Sequence, residues 1–128
     1  MKYILSMVLI AAAANAAAAE WISLGTVPTD RSVTAYYDRT SIQRTAAGIS
    51  VVFLLNFNVA QPLDNHVYRS VDQLTEIDCG RRQYRPIDRR FLSGNMASGN
   101  VVMEDTMSEG WRSGASGSPA ARLIAALC

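Results

Sequence analysis

From residue 49 to 59 the chain alternates, with Ile49, Val51, Phe53, Leu55, Phe57 and Val59 apolar and Ser50, Asn56 and Asn58 between them. Successive side chains of a strand point to opposite faces, so this spacing predicts a strand with one face against a large apolar surface. Val52 and Leu54 sit on the other parity and predict that one end of the second face is covered as well. Residues 60–65 bring Pro62, Asp64 and Asn65 together and read as the turn out of this strand. A second long strand follows over 66–79, with Val67, Val71, Ile77 and Cys79 on one parity, and Gly80 closes it. Residues 83–92 read as its hairpin partner, where Pro86 lacks a ladder donor and so predicts an edge position or a bulge. Shorter strands are predicted at 21–24, 33–37 and 101–106. Residues 38–44 hold a helical turn or loop with Asp38 as a candidate cap, and the Gly/Ser-rich stretch 108–117 reads as a connection.

The last segment changes period. Ser118-Pro119 is a helix start, with serine as cap and proline in the first turn. Ala120, Leu123, Ile124, Leu127 and Cys128 then recur at helical spacing as one apolar stripe, which places Cys128 on the face to be buried. The fold class that follows is α+β, a single antiparallel sheet of about six strands with a C-terminal helix packed on one face.

Composition adds a compartment. Lys2 precedes an apolar run, and Ala17-Ala18-Ala19 stands before Glu20, so residues 1–19 read as a signal peptide and 20–128 as one exported domain. The alternative, a membrane anchor, is disfavoured by the alanine content and by the lack of a positive flank after it. No stable membrane span is expected after cleavage. The two cysteines, Cys79 and Cys128, are then expected to form a disulfide in an oxidising compartment, fastening the helix to the sheet. Closing that loop stabilises by about 4 kcal/mol on the chain-entropy estimate. The competing reading is a frayed tail ending in a free thiol.

Charge and candidate chemistry narrow the function. Twelve Lys plus Arg face eleven Asp plus Glu, so overall charge predicts no nucleic-acid partner. His66 is the single histidine and reads as a solvated strand-end residue. With the cysteines committed to each other, no metal cluster or thiol nucleophile remains, and no G-x-S-x-G elbow or phosphate loop is present. The chain is therefore expected to be non-enzymatic, without cofactor or metal. What remains is local charge: Arg81, Arg82, Arg85, Arg89 and Arg90, with Arg69 upstream and Tyr84 as a stacking surface. Arginine forks grip carboxylate or sulfate. The bland alternative is that the strip neutralises Asp72, Glu76 and Asp78 across the hairpin. Trp21 and Trp111 are expected to pack in the core.

Trp21, Tyr37-Asp38 with Ile42 after it, Arg69-Ser70-Val71 leading to Asp78-Cys79, Trp111, and Ser118-Pro119 running to Cys128 together resemble the surface-adhesin protein E family of exported proteobacterial proteins. The resemblance implies a six-stranded antiparallel sheet with its C-terminal helix tied to the concave side. It also implies an adhesin-like role against host extracellular-matrix and plasma proteins such as vitronectin and laminin, with the binding stretch falling on residues 68–90. The partners expected are thus host matrix proteins or acidic glycans, and a homodimer is left open. Glu20 stands where a lipid-anchored protein would carry a cysteine, so the expected location is periplasmic or secreted. The alternatives are a soluble periplasmic, envelope-associated domain and a small-ligand carrier that uses the concave face.

Overall fold

The computed structural model describes residues 18–107 and 109–128. The signal segment read from the sequence lies outside them, apart from its last two residues. Eight strands and one helix follow in order: β1 (Trp21–Val27), β2 (Asp30–Asp38), β3 (Gln43–Thr45), β4 (Gly48–Leu63), β5 (His66–Asp78), β6 (Gln83–Leu92), β7 (Val101–Thr106), β8 (Arg112–Ser113) and α1 (Pro119–Leu127). The main sheet path is β1-β2-β4-β5-β6-β7, antiparallel throughout and curled into a half-barrel. The two shortest strands extend it sideways, β3 along β4 and β8 along β6. The six-stranded architecture with its terminal helix is as the periodicity predicts.

Period two sets the layers. Val51 and Ile77 are fully buried beneath Leu123 and Ile124 of the helix, with Ile49, Phe53, Tyr37 and Leu24 packed around them. The β1 ladder shifts register between Ser23 and Gly25, which leaves Leu24 without a partner on β2 and free to join this cluster. Ser118 caps α1, its Oγ accepting the Ala121 N–H, and Pro119 follows in the first turn. Arg122 reaches from the helix to the carbonyl oxygens of Leu24 and Thr26, at 2.8 and 3.1 Å. It thereby occupies two acceptors of an edge strand. Cys79 and Cys128 form the disulfide, with Cα atoms 5.5 Å apart. One detail differs from the stripe argument: Cys128, the residue that caps the end of α1, is exposed and Cys79 is half-buried.

The second face is covered at one end, as Val52 and Leu54 suggest. Leu54 and Ser70 are fully buried, and the loop between β6 and β7 folds over them. There Met96 N–H donates to Asn56 Oδ1 and Ala97 N–H to Ser70 Oγ, while Ser70 Oγ donates to the Gly94 carbonyl.

Three boundaries depart from the sequence reading. Residues 60–63 are strand, and only Asp64 and Asn65 turn, with Asp64 left-handed at φ 50°. The slack is taken up inside β4, whose register jumps between Asn56 and Gln61. The long hairpin therefore runs past β2, paired only to Phe57, and past β6, paired only to Ser70. Val59 and Val67, predicted as buried parity positions, are consequently 62% and 55% exposed. Tyr68 closes the core at the base of this projection by stacking edge-on against Phe57 and Phe91. The strands β3 and β8 escaped the periodicity, being three and two residues long. Pro86 sits at a bulge, one of the two placements that its missing donor predicts: Thr75 pairs Pro86 and Leu74 pairs Asp88, leaving Ile87 out of register. The Ile87 carbonyl instead accepts the Met107 N–H.

Candidate binding surface

The arginine run begins in the β5–β6 turn and continues down β6, so each guanidinium meets whatever the antiparallel register places beside it. Glu76 pairs Arg85 and Asp72 pairs Arg90 across β5 and β6. Side chains on directly opposite residues lie close enough to join, and both do. Arg85 meets Glu76 at 2.8 Å and stacks over Trp111, 4.6 Å from the ring centre. Arg90 makes a two-pronged pair with Asp72 at 2.9 and 2.5 Å. That Asp72 side chain is only 6% exposed, and a carboxylate so far removed from water needs a partner of this kind.

Arg89 faces the other neighbour. β7 brings Asp105 opposite it, and the two form a second fork at 2.9 and 2.5 Å. This guanidinium holds the Asp105 carboxyl below its ordinary value, and the Arg89 charge is strengthened in return. Asp105 is the residue that sequence reasoning missed. It belongs to a strand whose pairing with β6 no local pattern reveals.

The turn end is different. Arg81 and Arg82 are exposed, and among the described residues neither forms an ion pair. Asp78, expected to balance them, uses its Oδ1 to accept the Arg81 backbone N–H at 3.1 Å. Arg69 lies half-buried near the base of the projecting hairpin, away from the turn. Tyr84, read as a stacking surface, instead packs against the core cluster beneath the helix. The seven arginine and tyrosine positions thus do not form one strip. Three arginines are joined to acids, Tyr84 belongs to the core side, Arg69 stands apart, and two arginines mark one end of the sheet.

Three concavities surround these residues. A trough of about 550 Å³ runs past Val52, Asp72, Leu74, Arg90 and Glu104, its guanidinium already engaged. A cleft of about 440 Å³ opens between the sheet and the N-terminal part of α1, with Phe53, Leu55, Pro86, Pro119 and Leu123 in its walls. The concave-face carrier alternative would use this cleft. A smaller one of about 300 Å³ lies between the β5–β6 turn, β8 and α1, lined by Arg81, Arg82, Ser113, Gly114, Ala121 and Ile124. Among the described residues, no acidic side chain lines it.

Among the described residues, no helix is long and apolar enough to cross a membrane. No curated protein matches the chain. Two solved structures do resemble it. Crystal form II of Haemophilus influenzae protein E superposes with a TM-score of 0.56 at 15% identity, covering 80% of this chain and 86% of that one. A second structure of Haemophilus influenzae protein E gives 0.54 at 16% identity, covering 80% and 83%. At such identity the likeness speaks to the fold alone, an antiparallel sheet with a C-terminal helix as the periodicity predicts. The family model for surface-adhesin protein E matches residues 21–128, essentially all of the described chain, and this protein therefore belongs to the surface-adhesin protein E family.

Proposed function

We propose that this protein is an exported, adhesin-like binding module that engages host extracellular-matrix or plasma proteins through the β5–β6 end of its sheet. The observation that carries this reading is the division of the arginines. Arg85, Arg89 and Arg90 are ion-paired to Glu76, Asp105 and Asp72, whereas Arg81 and Arg82 stand exposed on the turn and form no ion pair among the described residues. Forming a new pair with Arg81 or Arg82 breaks no existing one, so the full charge-assisted contact is available to a partner. The ion-paired arginines instead keep the sheet in register. Export through the segment 1–19 and an adhesin family membership over 21–128 agree with a partner met outside the cytoplasm.

The test is binding of the disulfide-closed protein to immobilised vitronectin and laminin at moderate salt. The wild type should bind, and the double variant Arg81→Ala/Arg82→Ala should lose about tenfold in affinity, the scale of one or two charge-assisted contacts. An Arg85→Ala variant should act mainly on thermal stability. Equal binding by wild type and double variant would sink the assignment of this surface, and no binding by the wild type would sink the matrix-protein role.

A further inference from the structure

We propose that the cleft between the β5–β6 turn, β8 and α1 is an oxyanion site that takes a sulfate ester of an acidic glycan. The proposal deepens the reading above, since it names a ligand class for the same end of the molecule.

Among the described residues the cleft lining holds two cationic side chains and a hydroxyl and no carboxylate, while Asp78 beside the turn is engaged by the Arg81 backbone N–H. Arg81 and Arg82 line it together with Ser113, and the rest of the lining, Gly114, Ala121 and Ile124, is small or apolar. Gly114 keeps it narrow: a Cβ there would press on the Ala121 nitrogen at 2.7 Å. Two cationic side chains on one cleft, neither in an ion pair among the described residues, favour an anion bound there.

The backbone is built to hold them. Arg82 is left-handed at φ 53°, a conformation that glycine or asparagine adopts with less strain. The turn is also fixed on every side. Asp78 Oδ1 takes the Arg81 N–H, Cys79 is bonded to Cys128, and Gln83 pairs Ser113. The two arginine backbones are thus already ordered before a ligand arrives, which lowers the entropy cost of binding.

Geometry favours sulfate over carboxylate. A carboxylate has two oxygens and is satisfied by one guanidinium fork, as the Asp72–Arg90 and Asp105–Arg89 pairs demonstrate. Two forks and a hydroxyl suit a group with three terminal oxygens. A polymer is favoured over a single ion by Arg44, exposed and without an ion pair among the described residues. It lies on β3, where it pairs Ile49 of β4, and Ile49 in turn pairs Ile77 near the end of β5 that leads into the turn. A sulfated chain that runs across this end of the sheet reaches the strand bearing Arg44.

The experiment is calorimetry on the disulfide-closed protein with a heparin oligosaccharide, its desulfated counterpart and inorganic phosphate. The intact oligosaccharide should bind, with about tenfold loss on desulfation and about tenfold loss in Arg81→Ala/Arg82→Ala. Arg81→Lys/Arg82→Lys should fall between, keeping the charge and losing the fork. Arg31→Ala, an exposed arginine on β2, should stay within about twofold of wild type. Equal affinity for the desulfated chain, an equal loss in Arg31→Ala, or phosphate binding as tightly as the oligosaccharide would each overturn the proposal. Matrix-protein binding without heparin binding defeats this inference alone. Heparin binding without matrix-protein binding defeats the functional reading and leaves the site standing.

Discussion

Asp105 is shaped electrostatically by a single neighbour. Its carboxyl is held below the ordinary range chiefly by the hydrogen bonds from Arg89, with that residue's charge adding to them and partial burial opposing. A depressed folded-state value means that the contribution to stability is complete above the ordinary carboxylate range, about pH 4, and is lost as pH falls through the depressed value. Carbon-detected NMR should show Asp105 titrating at lower pH than a free aspartate, and Arg89→Gln should return it towards the usual value. An unchanged midpoint in that variant would remove Arg89 as the cause. Backbone strain is as local. Met96 and Ala97 both take left-handed φ values, 54° and 61°, at the centre of a turn closed by the Ser98 N–H to the Asn95 carbonyl. Residues with a Cβ are strained there, and Asn56 and Ser70 offset the strain by accepting both turn N–H groups. Ala97→Gly should therefore stabilise by about 1 kcal/mol, read as a higher urea midpoint. A lower midpoint would mean that packing of the Ala97 methyl outweighs the strain.

At the scale of elements, α1 is the dependent part. Nine residues are too few to hold a helix in water, so its order comes from burying Leu123 and Ile124 and from the disulfide. The bridge spans 49 residues, for which the chain-entropy relation gives about 4 kcal/mol. Cys79→Ser or Cys128→Ser should lower unfolding free energy by that order, and amide exchange in α1 should rise more than in β4 and β5. Uniform protection in the variant would show that packing alone holds the helix. This element is legible in the chain alone, because its cap, proline, stripe and cysteine are all local signals. The far end of β4 is not. Pro62, Asp64 and Asn65 announce a turn, and the turn is there, but a register jump within β4 lets the strand continue to Leu63 and moves the boundary. Such a jump depends on what β5 offers opposite, and no residue of β4 declares it.

Over the whole molecule, the division follows the range of the physics. Local pattern specifies what depends on neighbours along the chain: the period-two strands at 49–59 and 66–79, the hairpin return at 83–92, the capped helix, and the two cysteines whose pairing ties that helix down. Those signals carry the family's fold, and they suffice because strand alternation and helix stripes are set within about ten residues. Only the tertiary structure decided how the charges are spent. Arg81 to Arg90 look alike in sequence, yet β5 supplies Glu76 and Asp72 to two of them, β7 supplies Asp105 to a third, and the turn leaves two facing solvent. It likewise turned Tyr84 towards the core and left Val59 and Val67 outside it. The physical reason is that pairing across a sheet joins residues by register, and register is a property of two strands together, so the surface that can bind emerges only when the strands have met.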